Sequence, residues 1–172
     1  MQNLFSYPLK LEDMSPATQK YILNPTGKEL DYISDVLKLP AVKSFYSEIN
    51  VRLNKKEHMV DVFGFVKSDV EQVSVISLEN FVKPYYSEFS LKVDTKKTAA
   101  EIRELDIDID DDVPDVMENG QIDLASIAME HLALVLDDFP RKEGEVFKFE
   151  SEFDEETTAA ANPFAVLKKL KK

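Results

Sequence analysis

Between Phe45 and Thr95 the chain passes through four stretches rich in β-branched and aromatic residues, and this succession limits the fold most. They read FYSEINVRLN, HMVDVFGFVKSD, EQVSVISLEN and YYSEFSLKVDT. In the last, Tyr85, Ser87, Phe89, Leu91 and Val93 fall on one face, and Tyr86, Glu88, Ser90 and Lys92 on the other. A two-residue period of this kind marks a strand with one face buried and one in water, the pattern of antiparallel sheets. The polar Asn54-Lys55-Lys56 reads as a turn between the first two stretches. Four strands with short polar connections predict an antiparallel sheet.

Two helices are expected beside it. In NPTGKELDYISDVLKLP, Leu30, Ile33 and Leu37 form a stripe, Thr26 is placed to cap the start and Pro40 stops the helix. In NGQIDLASIAMEHLALVLDDFPRK, Asp123 is the expected N-cap of a helix over 123–136. At 100° per residue, Leu124, Ala128, His131 and Val135 share the apolar face. Ser126, Glu130, Ala133 and Asp137 form the narrow polar side. NLFSYPLKL reads as an extended N-terminal segment, and EGEVFKFESEF as a short strand. The fold class expected is α+β: an antiparallel β-sheet able to curl into a barrel-like form, with two main helices packed on it and a flexible C-terminal tail. One domain is expected over 1–156, with an acidic insertion at about 101–120. A tail over 157–172 ends in a short basic helix.

The 172 residues suffice for one real core, and 44% apolar content is that of a globular protein. No apolar run is long enough for a membrane span, and MQNLFSYPLK lacks the form of a signal peptide. With no cysteine, thiolate catalysis, disulfides and cysteine-held zinc are excluded. A cytoplasmic protein fits these features. Charge divides unevenly along the chain. Residues 1–100 carry 13 basic and 13 acidic groups, residues 101–160 carry 4 and 20, and residues 161–172 carry 4 lysines and no acid. The middle portion repels phosphate backbones and attracts basic proteins.

Catalytic readings find little material. Glu130 and His131 adjoin in sequence but point about 100° apart on a helix, so they do not act on one atom. A zinc protease helix needs a second histidine, and the only other one is His58. His131 is therefore expected as a core or boundary residue. In LDIDIDDDVPD, Asp106, Asp108 and Asp110 match early positions of a calcium loop, but Asp111 stands where Gly is needed and Met117 where Glu is needed. These aspartates read as a solvated acidic loop or a charged edge strand. A metal-dependent hydrolase using Asp106, Asp108 and Asp110 is the alternative, and a generic acidic interaction protein is a third reading. No metal site or cofactor is expected. In NPFAVLKKLKK, Phe164, Leu167, Lys168 and Lys169 suit docking on a partner or on the chain's own acidic surface; a frayed tail fits as well.

Three stretches carry a resemblance. GQIDLASIAMEHLALVLDDFPRK, with Gly120, Ile122, Asp123, Leu124, Glu130, Leu132, Leu134, Leu136 and Pro140, resembles the signature of the YceD-type proteins, the large ribosomal RNA subunit accumulation proteins. DVEQVSVISLENF, with Gln72, Ser74, Val75, Ile76, Ser77, Leu78 and Glu79, is similar to that family's upstream strand. The closing NPFAVLKKLK is similar to the tail of its alphaproteobacterial branch. Ser74 stands where many members have Cys, and His131 where Gln is more usual. The resemblance implies a non-enzymatic bacterial factor for large-subunit ribosomal RNA accumulation and ribosome assembly. Joined to the charge division, it predicts that Asp123, Glu130, Asp137, Asp138, Arg141 and Lys142 contact a basic ribosomal protein or a large-subunit precursor particle. Direct RNA contact is expected to be weak, through the neutral first part or the lysine tip, with no DNA and no membrane as partner.

Overall fold

A computed structural model describes residues 4–97, 101, 114–117 and 119–146. The chain divides into a compact unit over 1–142 and a second unit over 143–172. Asp106, Asp108, Asp110, residues 147–153 of the strand expected over 143–153, and the tail residues Phe164, Leu167, Lys168 and Lys169 lie outside the described residues; residues 143–146 are described and are not strand.

The compact unit is α+β, as the alternation implies. Its main sheet has the order β2(Gln19–Leu23), β3(Ala41–Asn54), β4(Met59–Val73), β5(Asn80–Asp94) and β6(Asp115–Val116). Neighbours are antiparallel except β5 and β6, which run parallel. A second, two-stranded sheet joins β1(Pro8–Lys10) to β7(Gln121–Asp123). The helices are α1(Lys28–Leu37) and α2(Leu124–Ala133). The main sheet stays open, with β2 and β6 at its two ends, so the expected closure toward a barrel does not occur.

Four expected strands become three long ones. β4 runs without a break through Ser68 and Asp69 to Val73, and Asn80 already begins β5. Ser68-Asp69 reads as a break because both side chains are polar. In the fold, buried Ser68 gives its hydroxyl proton to the Ser44 carbonyl at 2.6 Å, while Asp69 faces out and accepts from the Ser44 hydroxyl at 2.7 Å. Val66, Ser68, Val70 and Gln72 therefore continue one inward row. On β3 the inward row starts at Val42 and resumes at Phe45, because a bulge between Val42 and Ser44 shifts the register.

The inward rows of β3, β4 and β5 form one layer of the core with Ile33 of α1 and Leu124, Ala128 and Leu132 of α2. Fully burying a leucine such as Leu124 or Leu132 stabilises the fold by about 1.5–3 kcal/mol. Outward residues of the same strands stay partly or wholly exposed. Thr26 is not the cap of α1. Gly27 takes that position with φ of +52°, a value glycine adopts without a side-chain clash. Thr26 instead gives its N–H to the Glu29 carboxylate at 3.1 Å. Asp123 does cap α2, but the helix ends at Ala133, short of residue 136. Tighter turns carry the chain onward, with Val135 N–H on the Leu132 carbonyl and Leu136 N–H on that of Ala133.

Candidate partner-binding site

Helix α2 begins where its sequence places it. The Asp123 carboxylate accepts from Ala125 N–H at 3.0 Å and Ser126 N–H at 3.4 Å, satisfying donors the first helical turn leaves unpaired. It also accepts from the Ser6 hydroxyl at 2.6 Å and Tyr7 N–H at 2.8 Å. One side chain thus caps the helix and ties down the N-terminal segment. Leu124, Ala125, Ala128, Met129 and Leu132 turn into the core. Ser126, Glu130 and Ala133 remain exposed.

The polar side of α2 opens on a groove of about 430 Å³, walled by Leu91 and Val93 of β5, Asp115 and Val116 of β6, and Ile127. Asp115, Asp123, Ser126 and Glu130 supply its polar lining, so its charge is negative. The three carboxylates line the wall at separate places. Among the described residues no group of three or more His, Asp or Glu converges to hold a metal ion. His131, next to Glu130 in sequence, faces elsewhere: its ring lies flat on Phe89, with centroids 4.5 Å apart and planes 6° from parallel. The boundary position expected for His131 is the one observed.

Asp137, Asp138, Arg141 and Lys142 lie beyond the end of α2 and are not part of this groove. Asp137 and Lys142, with Arg141 near Asp137, belong to a clamp on the tip of the β4–β5 hairpin. Asp137 pairs with Lys83 Nζ at 2.5 Å and lies 3.0 Å from the Tyr85 hydroxyl. That hydroxyl also meets the buried Gln72 amide oxygen at 2.5 Å. Val75 N–H donates to the Pro140 carbonyl at 2.8 Å, and Lys142 pairs with Glu79. The Lys83 ammonium, helped by the Tyr85 hydroxyl and Arg141, holds the Asp137 carboxyl below its usual range. Burial pushes the Tyr85 phenol up. Leu78 and Phe139, flanking the clamp in sequence, are largely exposed.

Ser74 organises the hairpin tip. It is fully buried, and its hydroxyl oxygen accepts from Ile76 N–H at 3.1 Å and Ser77 N–H at 3.3 Å. Ser74 N–H reaches the Glu79 carbonyl, and Leu78 N–H the Ser74 carbonyl, each at 2.9 Å. The stretch SVISLE is therefore a turn between two strands rather than a strand of its own. Two motifs far apart in sequence, around Ser74 and Pro140, meet at this turn. The family model for "Large ribosomal RNA subunit accumulation protein YceD" matches residues 62–171.

The chain belongs to the YceD family.

No curated protein and no solved structure matches the chain. The YceD match opens inside β4 and takes in the hairpin tip, the clamp, the groove and α2; β1, β2, α1 and β3 precede it. All three stretches that carry the sequence resemblance thus lie inside the matched region. Sequence reasoning missed Asp115 as the third groove carboxylate, and it missed Lys83 and Tyr85 as the partners of Asp137. Asp115 was visible only as one acid in an acidic run. The contacts of Lys83 and Tyr85 depend on the turn after α2 folding back over β5.

Proposed function

We propose that this YceD-family chain acts without catalysis in large-subunit ribosomal RNA accumulation, by holding a basic ribosomal protein or a large-subunit precursor particle. The family is named for accumulation of that RNA and not for a reaction. The observation that carries the reading is the groove beside α2, where Asp115, Asp123 and Glu130 stand on one wall system of the motif helix. A negative concavity attracts lysine and arginine side chains and repels phosphates. Asp123 contributes its charge while serving as the helix cap. Asp137, Arg141 and Lys142 form a second, mixed-charge element at the clamp, with Asp138 next to them in the chain. No helix among the described residues is long and apolar enough to cross a membrane.

The test combines capture and complementation. The tagged chain is used to capture partners from cells, with and without nuclease, and ribosomal particles are separated on sucrose gradients after depletion. Depletion lowers the large-subunit peak. A basic protein stays bound after nuclease treatment, and a chain carrying Asp115→Asn with Glu130→Gln loses that partner and fails to restore the peak. Capture that vanishes with nuclease, or full restoration by the double variant, overturns the reading.

A further inference from the structure

Residues 45–49 read Phe-Tyr-Ser-Glu-Ile and residues 85–89 read Tyr-Tyr-Ser-Glu-Phe. The two copies lie on β3 and β5, the strands on either side of β4. In each, the first aromatic residue is buried, while Tyr46 and Tyr86 stand on the outer face. Strand register puts Tyr46, Lys67 and Tyr86 in one row and Glu48, Phe65 and Glu88 in the next. The Tyr46 hydroxyl donates to Glu48 at 2.6 Å, and the Tyr86 hydroxyl to Glu88 at 2.7 Å. Phe65 lies between them, with ring centroids 6.1 Å from Tyr46 and 5.6 Å from Tyr86. The same pairing of ring and carboxylate is thus built twice across the sheet.

The copies differ in their cations. Lys67 Nζ sits over the Tyr46 ring at 4.8 Å from its centre, and Lys20 Nζ lies 2.5 Å from Glu48. Among the described residues no ion pair reaches Glu88 and no ammonium lies over Tyr86. Tyr86 is 56% exposed. The face of a phenol ring attracts a cation, and a carboxylate beside it adds a full charge and a hydrogen-bond acceptor. The β3 copy shows which chemistry this arrangement takes up: an ammonium over the ring and a second on the carboxylate.

We propose that Tyr86 and Glu88 receive a lysine or arginine side chain from an extended basic segment of a partner protein lying across the outer face of the sheet. The proposal rests on the reading of a basic partner but places a contact on a surface separate from the α2 groove. Single-stranded RNA could stack on the same rings. Lys20, Lys43 and Arg52 are ion-paired to Glu48, Glu71 and Asp61 on this face, so the face as a whole is mixed in charge, but the Glu88 carboxylate that accepts from the Tyr86 hydroxyl disfavours a phosphate at that ring.

The full chain, isotopically labelled, is titrated with a Gly-Arg hexapeptide and separately with oligouridine, following the ring resonances by NMR. The peptide shifts Tyr86 and Phe65 saturably, and Tyr86→Leu and Glu88→Gln each weaken binding about three-fold or more. Glu48→Gln and the exposed α1 variant Asp31→Asn, which remove a negative charge elsewhere, stay within about two-fold. Each of these side chains has its polar end on the surface, and thermal melts confirm that the variants fold. Unchanged peptide binding by Tyr86→Leu and Glu88→Gln overturns the proposal, as does a response of these rings to oligouridine alone. A peptide response confined to the groove also removes the Tyr86 contact while leaving the basic-partner reading intact.

Discussion

The amide of Val75 donates to the carbonyl of Pro140 at 2.8 Å, and around this bond the two sequence motifs of the chain are held together. The pairs Lys83–Asp137 and Lys142–Glu79 stand beside it. Replacing Asp137 by Ala removes one acceptor shared by Lys83 and Tyr85. The pair is well exposed to solvent, so the loss in global stability is small, about 1 kcal/mol. The local effect is larger in kind: the Val75 amide exchanges faster with solvent in Asp137→Ala. Unchanged exchange at Val75 would show that the clamp closes without the ion pair.

The same carboxylate predicts a pH dependence. Lys83 first, then the Tyr85 hydroxyl, lowers the folded-state pKa of Asp137 below its ordinary value. A depressed folded pKa gives stability that is present above the unfolded pKa and is lost as pH falls through the folded one. The stability gap between the natural chain and Asp137→Asn is therefore flat from pH 7 down to about pH 5 and shrinks below about pH 4. Urea midpoints measured across that range check the sign. A gap that widens on acidification contradicts it.

Ser74 gives a sharper test of the hairpin tip. Its oxygen accepts from two turn amides while fully buried. Ser74→Ala leaves those donors without this acceptor and costs about 1–2 kcal/mol. Ser74→Cys keeps a weaker acceptor of similar shape and falls between the two. Chemical denaturation of all three chains orders them; a Cys variant less stable than the Ala variant refutes the turn-capping role.

How much of this was legible depended on where each residue finds its partner. The alternation from Tyr85 to Val93 was readable because one face of β5 is buried and the other wet. The Asp123 cap was readable because its acceptors serve amides two and three residues away. Ser68 misled because its hydroxyl is satisfied by Ser44 on the neighbouring strand, a contact absent from local sequence. Glu130 was placed correctly on a polar helix side, yet the groove it lines also needs β6, whose two residues carry no strand signal. Asp137 read as one more acid on that side, although the helix ends before it and turns it toward Lys83. The Tyr-Ser-Glu echo was present in the sequence. Its meaning required the register that sets both copies around Phe65.

His131 shows what a polar residue on an apolar face is doing. It lies face to face with Phe89. His131→Ala removes the stacked ring and part of the cover over Phe89, costing about 1–2 kcal/mol. His131→Gln, with less flat surface, recovers part of that loss. Thermal melts rank the variants, and indifference to His131→Ala would mean that the stack adds nothing to stability.

Gly64 sits where β4 passes between Ile49 of β3 and Phe89 of β5. A Cβ at Gly64 would lie 2.0 Å from the Glu48 carbonyl oxygen and 3.0 Å from Ile49 Cα. Both are backbone atoms, so no rotamer change relieves the clash, and the strands must separate locally. Glycine inside a strand otherwise weakens it, so its presence here reflects close approach of a neighbouring chain segment. Gly64→Ala is expected to cost about 3 kcal/mol, at the upper end for overpacking, because the displaced atoms belong to a three-strand ladder. The neighbouring rows Glu48–Phe65–Glu88 and Tyr46–Lys67–Tyr86 shift with it, so the variant also perturbs the Phe65 and Tyr86 ring resonances. Urea denaturation with NMR of those rings checks both parts. A Gly64→Ala chain as stable as the natural one, with unshifted rings, would show that β3 and β4 lie farther apart at this position than described.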